Sequence, residues 1–197
     1  MYPVFTSHGI VLQKRVAGEE HSRVAILTRE HGLIRVAARA ARRENSKLRY
    51  GLETLTEAKF SFIRGKYEWK LTGAHEISKK LLPVHTPGRE AAGRIARLLL
   101  RLIPGEEPHT NVYDTVHEGL LALASISHST EESDAARNIE AVLVLRILSN
   151  LGYLPDTPEL KPFIEQDFFS IELAEEINRS RKLLIKSINE SLGSTGL

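Results

Sequence analysis

Apolar positions along the chain change their period near residue 80. Before it they come in short runs separated by turn residues. Val11-Leu12 leads to Gly18-Glu19-Glu20, Val24-Ala25-Ile26-Leu27 forms the next run, and Glu30-His31-Gly32 closes a tight turn after it. Ile34, Val36 and Ala38 then alternate with Arg35, Ala37 and Arg39, the period of a strand with one buried and one wet face. Residues 58–64 and 67–72 read as two more strands, a hairpin joined at Gly65-Lys66. Several short strands with one long polar connection suit a small closed barrel of the OB type better than a sandwich. Closure also removes the exposed strand edges.

Leu82-Pro83 and Thr86-Pro87-Gly88 mark a boundary, giving expected domains of 1–80 and 81–197. Beyond it the period is helical. Ile95, Leu98, Leu99, Leu102 and Ile103 share one helix face, ended by Pro104-Gly105. Tyr113, Val116, Leu120, Leu121 and Ala124 repeat the pattern. The stretch 141–148 is apolar almost all round and is expected to be the central helix of a bundle. A short helix near Phe163 and a long one over 171–192 complete the all-helical half. The fold class is therefore α+β, a five-stranded OB-type barrel followed by helices.

Net charge is only +2, yet it is unevenly spread. Residues 1–80 hold 16 Lys/Arg against 8 Asp/Glu, and residues 81–197 hold 11 against 17. The first half is thus +8 and the second −6, which points to a polyanionic partner for the barrel. The chain has no cysteine, which rules out disulfides, thiolate zinc sites and a cysteine nucleophile within it. Its 8 histidines show no metal-binding spacing and read as surface or turn residues. No GxSxG, phosphate-binding loop or dinucleotide fingerprint occurs, and the carboxylate pairs fall in turns, so neither an enzyme nor a cofactor is expected. No apolar run approaches the roughly 20 residues of a membrane span. Residues 1–8 lack the pattern of a signal peptide, so a cytoplasmic protein is expected.

The densest cationic segment is 39–49, with Arg39, Arg42, Arg43, Lys47 and Arg49 at the exit of the strand that carries Arg35. Cations on a barrel face and its adjoining loop track phosphates and release condensed counterions. This is favoured over a merely solvated loop, because few acids balance the segment. Lys66 with Lys59, Arg64 and Lys70 extends the basic surface around the hairpin. Arg94, Arg97 and Arg101 form a second basic line on the polar side of the first long helix, which the commoner reading takes as a solvated face. Tyr50, Phe60, Phe62, Tyr67 and Trp69 are candidates for stacking on bases. Phe60 with Phe62, and Tyr67 with Trp69, each share a strand face, and most of these rings are expected in the core.

Thr6-Ser7-His8-Gly9-Ile10-Val11-Leu12, Gly18-Glu19, Leu27 to Ile34 and Ala38-Arg39-Ala40-Ala41-Arg42-Arg43 with Ser46 resemble, in order and spacing, the N-terminal pattern of the RecO family of recombination mediators. Arg146-Ile147-Leu148 and Leu151-Gly152-Tyr153-Leu154-Pro155 carry a looser likeness in the helical half. The resemblance implies an OB-fold followed by a helical domain. It also implies binding of single- and double-stranded DNA, strand annealing, and recombinase loading with RecR on DNA covered by single-strand-binding protein. A nucleoid-associated place in the cytoplasm goes with that role. Arg39, Arg42 and Arg43 match the family's basic loop; Lys47 and Arg49 join them on charge alone. Many members insert a four-cysteine zinc module after the Leu-Gly-Tyr-Leu-Pro segment. Here residues 156–162 run on without a cysteine, and the chain is short for the family. The rival readings are a protein-interaction adaptor and an RNA-binding OB-fold protein.

Overall fold

The computed structural model describes residues 3–18, 21–39, 48–126, 132–168 and 171–194. Five strands, β1 (Val4–Val16), β2 (Ser22–Thr28), β3 (Gly32–Ala38), β4 (Glu57–Arg64) and β5 (Trp69–Ser78), close into a barrel in the order β1-β2-β3-β5-β4. This is the five-stranded OB arrangement. The long β1 makes closure possible. Its first half pairs with β4, from Val4↔Ile63 to Ile10↔Glu57, and its second half with β2, from Gly9↔Thr28 to Val16↔Ser22. An irregularity between Val11 and Gln13 bends the strand from one partner towards the other. The last closure is the short parallel pairing of Val36 with Trp69 and Ala37 with Lys70.

Inward positions fill the barrel with Val11, Val24, Ile26, Ile34, Val36, Phe60, Phe62, Trp69 and Leu71. Burial of such side chains contributes roughly 1.5–3 kcal/mol each. The connection before β4 contains the one-turn helix α1 (Leu48–Gly51), and Leu52 just after it is fully buried in the barrel core. Sequence periodicity does not show this plug, because one apolar residue beside a turn has no period.

One expectation about the hairpin is corrected. Arg64 pairs with Trp69, and the Gly65 N–H donates to the Glu68 carbonyl at 3.0 Å, so the turn is centred on Lys66-Tyr67. Tyr67 therefore leaves the strand, and it does not share a face with the buried Trp69.

The helices are α2 (Thr86–Leu102), α3 (Thr110–Ala124), α4 (Glu132–Asn150), α5 (Lys161–Glu165) and α6 (Ile171–Ser194). The chain divides into two compact units. Unit 1 is residues 1–82 with 96–113, and unit 2 is residues 83–95 with 114–197.

In unit 1 the 103–107 segment lies on the β2–β3 turn. The Leu33 N–H donates to the Gly105 carbonyl at 3.0 Å. Gly32 has φ +66°, and a Cβ there would stand 2.1 Å from the Glu107 carbonyl oxygen. Only glycine fits.

In unit 2, α4 packs against α5 and α6 around Val142, Leu145, Leu160, Phe163, Leu173, Ile177 and Leu184. Its end is a Schellman cap. Gly152 at φ +76° sends its N–H to the Ser149 carbonyl at 2.9 Å, and the Tyr153 N–H reaches the Leu148 carbonyl at 2.9 Å.

Candidate nucleic-acid interface

The outer face of β1, β2 and β3 carries an arginine stripe. Arg15 of β1 stands directly opposite Arg23 of β2, and Arg23 is opposite Ala37 of β3. Arg35, two residues before Ala37, is thus diagonal to Arg23 on the same face. All three side chains are exposed. Directly opposed residues on adjacent strands have Cβ atoms about 4.5–5.5 Å apart, where like charges repel. None of the ion pairs among the described residues engages Arg15, Arg23, Arg35 or Arg39.

A cleft of about 590 Å³ runs along this face. Arg15, Arg23 and Arg35 line it with Gln13, and Tyr67, Trp69 and Glu106 form part of its rim. A smaller hollow of about 270 Å³ adjoins it, lined by His21, Arg23, Arg39 and Glu68 among others. The two share Arg23 and Glu68, so Arg39 extends the stripe past the end of β3.

The acids at the rim are partly committed. Glu106 accepts the Trp69 indole N–H at 2.9 Å and lies 3.4 Å from an Arg64 nitrogen. The Arg64 guanidinium sits 5.5 Å over the Trp69 ring. Strand pairing brings Arg64 and Trp69 together, and the 103–107 segment supplies the carboxylate.

Of the positions expected from sequence, Arg35 and Arg39 fall on this surface. Lys66 is at the tip of the β4–β5 turn, with its ammonium 5.1 Å over the Tyr67 ring. Arg49 belongs to α1. Arg42, Arg43 and Lys47 lie outside the described residues. Arg97 and Arg101 are exposed on α2 and do not line the cleft.

Arg94 is gripped by Glu140, with Nε to Oε1 at 2.6 Å and an Nη to Oε2 at 2.7 Å. That hydrogen bonding raises its pKa above the usual arginine value, against a smaller lowering by burial. Its donors are thus largely taken within unit 2.

Of the aromatics, Phe60, Phe62 and Trp69 are core, while Tyr50 and Tyr67 are exposed at 61% and 86%. Arg15 and Arg23 were not singled out from sequence. Their signal was present as two cations flanking the Gly18 turn, but only the hairpin register sets them opposite each other.

Two family models match, Recombination protein O N terminal over residues 1–75 and Recombination protein O C terminal over residues 91–159. The chain belongs to the RecO family. It is similar to the DNA repair protein RecO of Trichodesmium erythraeum, at 28% identity over 132 residues, covering 66% of this chain and 46% of the relative. The Nostoc punctiforme protein of the same name is 29% identical over 154 residues, or 77% of this chain and 51% of the relative. That of Thermodesulfovibrio yellowstonii is 28% identical over 155 residues, or 77% and 59%. The chain thus spans about half the length of the curated relatives it matches. Membership places it among DNA repair and recombination proteins.

Many of the residues that carry the RecO pattern prove to be joints of the scaffold. The Ser7 hydroxyl donates to the Glu30 carboxylate, and the Arg29 N–H to the His8 carbonyl at 3.0 Å. The Thr28 hydroxyl donates to the Gly32 carbonyl at 2.8 Å and accepts the His31 N–H at 3.2 Å. Together they fix the turn on which the 103–107 segment rests. Leu151-Gly152-Tyr153 is the helix cap described above.

Arg146 is a buried tie from α4 to the α5 region, donating to the Phe163 carbonyl at 2.7 Å and to that of Gln166. Its guanidinium lies 4.1 Å from the Phe168 ring centre. Burial lowers its pKa, partly offset by Glu118 and Asp167. A four-thiolate zinc site does not fit the residues that follow Pro155, since none is cysteine. Instead Leu160 and Phe163 run directly into the apolar core of unit 2. No helix among the described residues is long and apolar enough to cross a membrane.

Proposed function

We propose that this RecO chain binds DNA across the outer face of β1–β3 and acts as a recombination mediator that anneals strands. The observation that carries the reading is the opposition of Arg15 and Arg23 on a cleft-lining face. Two like charges held side by side weaken the free protein and gain most when an anion sits between them. Strands 2 and 3 with the flanking loops are also where OB barrels take oligonucleotides. An extended strand laid along Arg15, Arg23, Arg35 and Arg39 exchanges condensed counterions for guanidinium contacts. Annealing asks for no catalytic group, because neutralised phosphates let two strands approach. Assistance to recombinase loading, with RecR and single-strand-binding protein as partners, belongs to the same proposal through family membership, as does a place in the cytoplasm at the nucleoid.

Fluorescence anisotropy of labelled single-stranded and duplex DNA over a range of salt tests it. Four phosphate contacts give a log–log slope of about −3 on single strands. Alanine at Arg15, Arg23 and Arg35 together is expected to flatten that slope by about 2 units. An unchanged slope removes DNA from this face. Competition with RNA of the same sequence separates the RNA-binding reading. Capture of RecR and single-strand-binding protein in the presence of nuclease tests the partners without DNA bridging.

A further inference from the structure

We infer that Tyr67 stacks on a nucleobase of a single strand lying on the arginine stripe, so that single strands are told from duplex at the β4–β5 turn; this rests on the reading of the stripe as a phosphate surface. Tyr67 is 86% exposed, the most exposed large apolar side chain among the described residues. It lines the same cleft as Arg15, Arg23 and Arg35. A solvated tyrosine ring there has no packing role to explain it.

The ring is also presented on a fixed base. The Gly65 N–H to Glu68 carbonyl bond of 3.0 Å closes the turn, and the Arg64–Trp69 pair bounds it. Trp69 is rooted in the barrel core and hydrogen-bonded to Glu106, which also meets Arg64. The backbone of the tip is thus held, and the side-chain rotamers of Tyr67 are what a ligand settling there must order. The Lys66 ammonium, 5.1 Å from the ring centre, puts a cation beside the stacking site and within reach of the adjoining backbone.

A base in a duplex has both faces covered by its neighbours. An unpaired base offers a face, and stacking on an aromatic ring is tolerant of sequence because every base has a π-face. Phosphate contacts from the stripe serve both forms of DNA. Tyr67 adds to single strands alone.

The test uses the full chain and anisotropy at one salt concentration. The probes are a labelled mixed-sequence single strand, a strand of equal length with abasic sites, and a matched duplex. Tyr67→Ala is expected to weaken single-strand binding by between about 5- and 150-fold, the range for loss of one stacked base. Duplex and abasic strand should change by less than about 2-fold, since their contacts are to phosphate. Tyr67→Phe should retain most of the single-strand affinity. Equal losses on all three probes, or no loss on the single strand, overturn the inference. The salt slope of the wild-type chain on duplex reports the stripe independently. A retained slope beside an unaffected Tyr67→Ala leaves the stripe standing and removes the stacking, whereas a wild-type chain with no slope removes both.

Discussion

The indole N–H of Trp69 donates to the Glu106 carboxylate at 2.9 Å, joining β5 to a segment 37 residues further along. Trp69 is only 7% exposed, while its N–H meets Glu106 at the rim of the open cleft. Glu106→Ala should cost about 1 kcal/mol, the usual net contribution of one hydrogen bond. Glu106→Gln keeps an acceptor and should cost less. The Arg64 pair on the same carboxylate is solvent-exposed and adds little. Urea denaturation followed by the emission of Trp69, the single tryptophan, measures the loss.

Arg15 and Arg23 are expected to move stability and binding in opposite directions. Arg23→Ala removes a like-charge opposition, so the free protein should be unchanged or more stable by up to about 1 kcal/mol. DNA affinity should fall, with the salt slope reduced by about 1 unit for the lost phosphate contact. Thermal melts and anisotropy on the same variant check both signs.

Gly32→Ala should be among the most damaging single changes in unit 1. A methyl group there meets the Glu107 carbonyl oxygen at 2.1 Å and must also hold φ +66°. Strain and the displaced 103–107 segment, with its Leu33–Gly105 bond, together predict a loss of about 2–4 kcal/mol. Denaturant midpoints measure it.

Arg146→Ala should loosen the α5 region. Two carbonyls, of Phe163 and Gln166, lose their shared donor, at a cost of about 2–4 kcal/mol. Arg146→Lys should not restore it, because one ammonium does not reproduce the guanidinium fork. Amide exchange over residues 161–168 should accelerate in both variants.

Arg94→Ala should leave the salt slope of DNA binding unchanged, since Glu140 already holds its guanidinium at 2.6 and 2.7 Å. The pair is partly exposed and its loss should cost no more than about 1 kcal/mol. A flattened slope would return Arg94 to the DNA surface.

The sequence by itself determined the types of the strands and of the helices beyond residue 81, the basic character of the first half and the family. Alternation in Ile34-Arg35-Val36-Ala37-Ala38 specifies a two-faced strand, and the apolar run at 141–148 specifies a buried helix, because both patterns are local. The RecO pattern was legible for a related reason. Glu30-His31-Gly32 and Leu151-Gly152-Tyr153 are turn and cap chemistry, whose backbone demands are written within a few residues. Pairing is non-local, and there the sequence fell short. Shifting the hairpin centre by one residue took Tyr67 out of its strand and onto the cleft. Register alone set Arg15 opposite Arg23, and chain folding alone brought Glu106 to Trp69 or Glu140 to Arg94. Which cations face an open cleft and which are held by a carboxylate depends on partners far away in the chain, and only the tertiary structure decided it.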